Sequence, residues 1–501
     1  MSQSGHFKLL GVISIISMMI AFFFGCSKQN ITSTDPCLWI AIAESDTITV
    51  EEFKNRYSFT PHIGKGSEAK ILFLKALVIE RLLAQYASES KTDKKTNCKI
   101  LLQQFADEAV VEGLLTNAIK ARVSISDAEI REHYSRYSRR LNINAWVFSD
   151  SITAYKAFER YNGGQNFRDL SLSETGNSNT KYYENQNLIY NQTEENLEKT
   201  AYNLLPDQAG EPVQVNNEWW LLKLNSSETT EMKNEQNFHA KSEYLRNVIY
   251  KRKSYSKQKT YIAEVMKGRS IKIDPGGFDW LVDHLLQILP GEQNDEGISL
   301  PLIATPQVQF DPELVEMNEK DKLDLPLITL DGSKKESWSR REVLEKLYSM
   351  PRTLNPADRK IFAQNLYQAL LWLVEFSALA EQGLEQGIDN EPEVVEEIEI
   401  WQQHVRAQFG LEALMADRGI TMSADGIDQL VDSTRLSRQD DIMEEWLAET
   451  FSKKKIQYNL KQLTDLELPD SPALIRKTHF PNRPILPIPI GYRWTPYLTT
   501  E

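Results

Sequence analysis

The sequence predicts a mainly helical α+β protein, and three observations carry that expectation. Long amphipathic runs dominate: in "SEAKILFLKALVIERLLAQYASES" the residues Leu72, Ala76, Ile79 and Leu83 fall on one helical stripe. Strand-like runs are few and short, chiefly "LWIAIA", "NINAWVF" and "NNEWWLLKL". The balance of 41% hydrophobic and 26% charged residues is that of a chain that folds around packed cores. At 501 residues it is too long for one core, and two to four domains are expected.

The first residues stand apart. Lys8 precedes the uncharged run "LLGVISIISMMIAFFFG", then Cys26 and the polar "SKQNITSTD". An apolar run of that length ending in a small residue before cysteine resembles a bacterial lipoprotein signal, although Phe23 and Phe24 stand where leucine and a small residue are usual. The resemblance implies a signal peptide over residues 1–25 and lipidation of Cys26, followed by a linker over 27–36. The other reading is an uncleaved signal anchor, and either one tethers the chain to a membrane from outside the cytoplasm, in the cell envelope and most simply on the periplasmic side. Cys37 and Cys98 then remain; an isolated pair in an oxidising compartment either forms a disulfide or stays as two thiols. The formal charge is -14, and -15 without the first 25 residues, so nucleic acid is not an expected partner. The seven histidines are scattered, with none at ligand spacing from a cysteine, and neither a metal nor another cofactor is expected.

Along the chain, "LWIAIAESDTITVEEFKNRY" reads as a strand, a turn and a helix capped by Thr49 with Glu52 three residues on. Two long helices follow, completing an N-terminal helical domain over 37–125. "SISDAEIREHYSRYSRRL" repeats the capping pattern with Ser126 and Glu129, and opens a region over 126–225 in which strands alternate with helices. Residues 173–196 read as a polar, Asn-rich stretch. A long helix then occupies much of 226–274, with Lys251, Arg252 and Lys253 on an expected solvated face. "SIKIDPGG" marks a boundary near residue 275. A second mainly helical domain spans 275–460, where the strand, turn and helix of 327–348 echo those of 38–57; this is either a weak internal repeat or two unrelated helical segments. Glu393, Glu396 and Glu397 share a helical face that reads as solvated. Residues 461–501 are too rich in proline for a helix and form an extended tail that either packs over the body or meets a partner.

Five pieces between 126 and 224 carry a resemblance. "SDAEIREHYSRY", "LNINAWVFSD", "AFERYNGGQNFRDLS", "LEKTAYNLLPDQAGEPV" and "NNEWWLLKL" arrive in the order of a parvulin-type peptidyl-prolyl isomerase domain. The flanks resemble the helical chaperone portions of SurA-like and PrsA-like extracytoplasmic foldases. The fold implied is a small parvulin-like antiparallel sheet held among helical chaperone-like segments. The family usually places one histidine in the first strand and another at the head of the closing strand; here those positions read Ala145 and Trp220, and no version of its glycine-rich "GGDLG" segment lies between 171 and 195.

Isomerising an X-Pro bond breaks no covalent bond, but needs a polar set that favours the twisted amide across a barrier of about 18–20 kcal/mol. Alanine and tryptophan cannot supply that set, so no catalytic residue is assigned. Trp146, Phe148, Leu197, Tyr202, Trp219 and Trp220 can either bind unfolded segments or form the module's own core, with Trp219 and Trp220 facing opposite sides of the strand. The resemblance implies a chaperone or foldase, needing no ATP, for unfolded or partly folded exported polypeptides. An active isomerase and a scaffold lipoprotein of the envelope are the alternatives.

Overall fold

The computed structural model describes residues 39–497 apart from 45, 171–179, 231–233, 289–297, 300–319, 333–334, 349–352, 355–357, 421–432, 470, 474 and 481–482. The predicted signal peptide, linker, Cys26 and Cys37 therefore lie outside the described residues. The chain opens with a hairpin, β1 (Trp39–Ala43) and β2 (Asp46–Thr49), and three helices, α1 (Val50–Phe59), α2 (Gly66–Glu89) and α3 (Thr96–Arg122). Next come α4 (Asp127–Tyr137), β3 (Arg139–Phe148), α5 (Ser151–Asn162), β4 (Lys181–Ile189), α6 (Glu195–Asn203), β5 (Val213–Val215) and β6 (Glu218–Thr229). The long α7 (Glu235–Met266), β7 (Ser270–Ile273) and α8 (Pro275–Ile288) follow, then β8 (Ile298–Ser299) and α9 (Lys320–Leu323). A second hairpin, β9 (Pro326–Asp331) and β10 (Glu336–Ser339), leads to α10 (Arg340–Tyr348), β11 (Thr353–Leu354), α11 (Arg359–Glu385) and α12 (Pro392–Asp417). The chain closes with α13 (Ser433–Lys453), β12 (Ile456–Tyr458), α14 (Leu460–Asp465) and a 3-10 helix, Ile490–Tyr497. It is an α+β protein, predominantly helical, with small antiparallel sheets. Among the described residues no helix is long and apolar enough to cross a membrane.

Two compact units divide the chain, and the division is not the serial one expected from sequence. One unit comprises residues 1–99, 399–475 and 484–501; the other comprises 100–398 and 476–483. In the first, β1 lies between β2 and β12. Its core joins Ile40, Phe53, Phe73, Leu77, Leu83, Leu414, Met443, Trp446 and Trp494. In the second, β9 lies between β10 and β7, over a core that includes Leu281, Ile328, Trp338, Leu344, Leu370 and Leu373.

The echo between 38–57 and 327–348 is a true repeat, and it extends far beyond those hairpins. A shift of 296 residues carries Lys91 onto Gly387; both are left-handed, with φ of 61° and 73°, and both open a 3-10 turn before the next long helix. The same shift carries the buried Leu74, Leu77, Val78 and Leu83 of α2 onto the buried Leu370, Leu373, Val374 and Leu379 of α11. Thr49 caps α1 through Glu52 N–H, and Ser339 caps α10 through Glu342 N–H. After α3 and α12 a shift of 185 residues applies. It carries the Arg122–Glu264 ion pair onto Arg418–Glu449. It also carries Asp274, which donates its N–H to Leu327 O at 2.9 Å, onto Asn459, which donates to Ile40 O at 2.8 Å. The closing strand of each repeat thus pairs with the hairpin of the other: β7 with β9, and β12 with β1.

The first repeat differs by an insertion. Between α3 and α7 it carries a module of residues 127–229 whose four strands run in the order β4-β3-β6-β5. The expected pieces all appear there as elements, beginning with the Ser126–Glu129 capping box. The Asn-rich stretch, however, contains β4. Its burial is almost wholly exposed, so it lacks the apolar alternation by which strands are read. The predicted extended tail packs over the body, and its last turns are 3-10 helical rather than extended: Gly491 lies against the backbone of Ala76.

Candidate peptide-binding site

The module's sheet has two faces, and each is covered by its own helices. On one face Leu141, Ile143, Ala145, Leu222 and Leu224 pack with Leu197, Ala201 and Tyr202 of α6 and with apolar residues of α4 and α7. On the other, Trp146, Phe148 and Leu221 pack with Ala154, Ala157, Phe167 and Leu170. The predicted binding residues are consequently split. Trp146 and Phe148 are buried on the α5 side, and Trp146 donates its indole N–H to Phe167 O at 2.7 Å. Leu197 and Tyr202 are buried on the α6 side, where Tyr202 donates to Arg139 O at 2.9 Å. These four are core residues, with their polar atoms satisfied.

Trp219 and Trp220 stay half-buried on opposite faces. Trp219 pairs with Phe148 across the strands and lies 6.1 Å from the Tyr155 ring; Tyr155 and Ile152 are exposed beside it on α5. Trp220 pairs with Val147 and with Val213, and its ring stacks on Tyr183 at 5.7 Å with an interplanar angle of 3°. The Trp220 indole N–H has no acceptor although it is shielded from solvent. An unmet buried donor is uncommon and costs about 1–3 kcal/mol, so it marks a place where an acceptor would be gained. Ala145 pairs with Leu222 and with Tyr183, which puts both positions usually held by histidine on this one face. The face's strand residues there are Ala145, Val147, Val213, Trp220, Leu222 and Tyr183, with the Lys181–Glu218 ion pair, 3.6 Å, at its end.

Two β-bulges bend the sheet beside this site. Register slips between β3 and β4 at Asn144, and between β3 and β6 at Asn225. Asn144 Oδ1 accepts from Asn185 N at 2.9 Å and from Asn225 Nδ2 at 2.8 Å, so one side chain replaces ladder bonds lost on both sides. Asn185 takes φ of 53°, a conformation asparagine tolerates.

Charges expected in solvent prove structural. Arg252 grips the fully buried Glu198 with two hydrogen bonds of 2.9 Å, and Lys253 reaches Ser124 O and Glu129. These contacts fasten α7 to the module, so the cluster is no solvated face. His133 Nδ1 lies 2.6 Å from Tyr190 Oη in the same network; burial, with Arg136 and Arg252 nearby, lowers the pKa of its imidazole. Glu397, also expected in water, is held by the buried Lys477 at 2.8 Å, and burial raises the pKa of its carboxyl. Cys98 is a buried free thiol whose pKa burial pushes up to about 12, and Cys37 lies outside the described residues.

No family model matches the chain, and no curated protein matches it. Nine chains of solved structures do. A peptidylprolyl isomerase (PrsA) from Bacillus cereus is 20% identical, over 43% of this chain and 84% of that one, with a TM-score of 0.20. Foldase protein PrsA from Streptococcus pneumoniae is 15% identical, over 42% and 84%, at 0.19. PrsA from Bacillus subtilis is 19% identical, over 44% and 91%, at 0.15. Likenesses this distant fix neither the fold nor the function of this chain.

Proposed function

We propose that this protein is a membrane-tethered chaperone or foldase for exported polypeptides, and that its parvulin-like module binds chain segments with little or no isomerase activity. The observation that carries the reading is the face holding Ala145 and Trp220. It offers stacked aromatic surface and an unmet indole donor, and it lacks the imidazoles that the family resemblance leads one to expect there. A bound segment would lay an apolar side chain against Trp220 and Tyr183 and give a backbone carbonyl to the indole N–H. Binding without turnover follows, because nothing on this face stabilises a twisted amide more than a planar one.

Two measurements test this. Purified protein is expected to leave the cis–trans relaxation of a proline peptide at its uncatalysed rate, while slowing the aggregation of an unfolded client. Trp220→Ala is expected to weaken the second activity about tenfold, the scale of one buried aromatic anchor. Robust isomerisation abolished by Trp220→Ala would instead establish the active isomerase. Absence of both activities would leave the envelope scaffold. The lipid tether is tested separately: Cys26→Ala is expected to abolish incorporation of labelled fatty acid.

A further inference from the structure

The long helix α7 carries a surface that neither core uses. Residues 244–263 contain Arg246, Lys251, Arg252, Lys253, Lys257 and Lys259, four tyrosines and no acid, in a chain whose net charge is -14. Arg246, Arg252 and Lys253 are engaged by Asp127, Glu198 and Glu129. Among the described residues no ion pair forms to Lys251, Lys257 or Lys259, and all three are exposed. Tyr244, Lys251, Tyr255 and Lys259, spaced by seven, four and four residues, share one stripe about 22 Å long. Tyr255 is 61% exposed, with Lys259 Nζ 4.4 Å from its ring centre.

The repeat shows how this fold uses the equivalent place. The shift of 185 residues carries Tyr255 and Lys259 onto Asp440 and Glu444 of α13, so the charge is inverted. There the surface is covered by the protein's own tail: Asp440 accepts from Arg493 Nε at 2.8 Å and from Trp494 Nε1 at 2.9 Å. A cation and an indole are laid on an acid. On α7 the chemistry is reversed and the position is open.

We propose that the Lys251–Tyr255–Lys259 stripe of α7 is a docking surface for an acidic segment of another polypeptide, carboxylates meeting the lysines and an apolar side chain lying on Tyr255. This names a segment chemistry that the chaperone reading leaves open, and it rests on that reading only for the source of the segment. The test titrates the full chain with a random copolymer of glutamate and tyrosine, with polylysine and with phosphatidylglycerol vesicles as comparison ligands. Binding of the copolymer is expected, at least about tenfold weaker in a Lys251→Glu, Lys259→Glu double variant and unchanged in a Lys54→Glu, Lys65→Glu control on the other unit. Failure of the copolymer to bind, equal binding by the stripe variant, or binding of vesicles without binding of the copolymer would overturn the proposal. Both lysines are exposed, so unaltered thermal unfolding of the double variant excludes misfolding as the cause of a loss. Aggregation suppression of a client without acidic runs should not change in the double variant, which separates failure here from failure of the chaperone reading.

Discussion

The two units repeat one architecture but lock it with different chemistry. In the first, α2 and α12 meet so closely that a Cβ on Gly410 would strike the backbone oxygen of Leu83. The charge buried there is a compact trio: Glu80 accepts from Arg56, from the His404 ring and from Ile490 N–H. In the second, α11 and α3 meet at Gly383, whose added Cβ would strike the Val110 side chain. The buried charge is supplied instead by the tail, where Lys477 and Arg483 flank Glu108 and Lys477 also reaches Glu397. A duplicated scaffold therefore conserves backbone plan, caps and apolar positions, while the polar interior is rebuilt in each copy.

The largest effect should come from the tail's charge cluster. Glu108→Ala leaves two buried cations without their shared partner and is expected to destabilise the second unit by about 3–5 kcal/mol in denaturant unfolding. Gly410→Ala should follow at about 3 kcal/mol, because backbone cannot step aside. Gly383→Ala should cost only about 1–2 kcal/mol, because a valine side chain can shift. Equal losses at the two glycines would break the distinction between the helix contacts.

The pH response should differ in sign within the first unit. Burial alone would raise the pKa of Glu80, but Arg56 and His404 hold it down to about 2; the stability it confers is present above its unfolded pKa of about 4.5 and is lost as pH falls toward 2. Burial raises Glu412 to about 7, so stability falls as pH rises from about 4.5 to 7. Unfolding midpoints of the first unit should therefore peak near the unfolded glutamate pKa, and Glu412→Gln should flatten the neutral side of that peak by about 1–3 kcal/mol. The smallest expected effect is at the matched turns: Lys91→Gly should stabilise by about 0.5–1 kcal/mol by relieving a left-handed lysine, and Gly387→Ala should destabilise by a similar amount.

Local signals in the sequence were read well where local physics fixes the outcome. Ser126 with Glu129, and the apolar stripe of α2, name a helix start and a buried face without knowledge of anything distant. The echo of hairpin and helix was legible for the same reason. What stayed hidden depends on partners remote in sequence. Nothing near Arg252 announces that Glu198 is buried beneath it, and nothing near Ile456–Tyr458 says which hairpin it will join. The candidate site was half legible: the substitution of Ala145 and Trp220 could be read. That Trp146, Phe148, Leu197 and Tyr202 form core depends on helices covering both faces of the sheet. The Tyr183 contact was missed because β4 is a polar strand; the positive-φ Asn185 within "ENQN" is the one signal that could have located its bulge.

The exchange of closing strands has a consequence for the order in which the protein can be assembled. Ala41 pairs with Tyr458, so one edge of the first sheet finds its mate only when nearly all of the chain has emerged from the ribosome. Until then the N-terminal hairpin carries an open edge, while the second hairpin already has β7 behind it in the growing chain. Maturation should accordingly proceed from the middle outward, with the amino-terminal part waiting for the carboxyl-terminal part to clasp it.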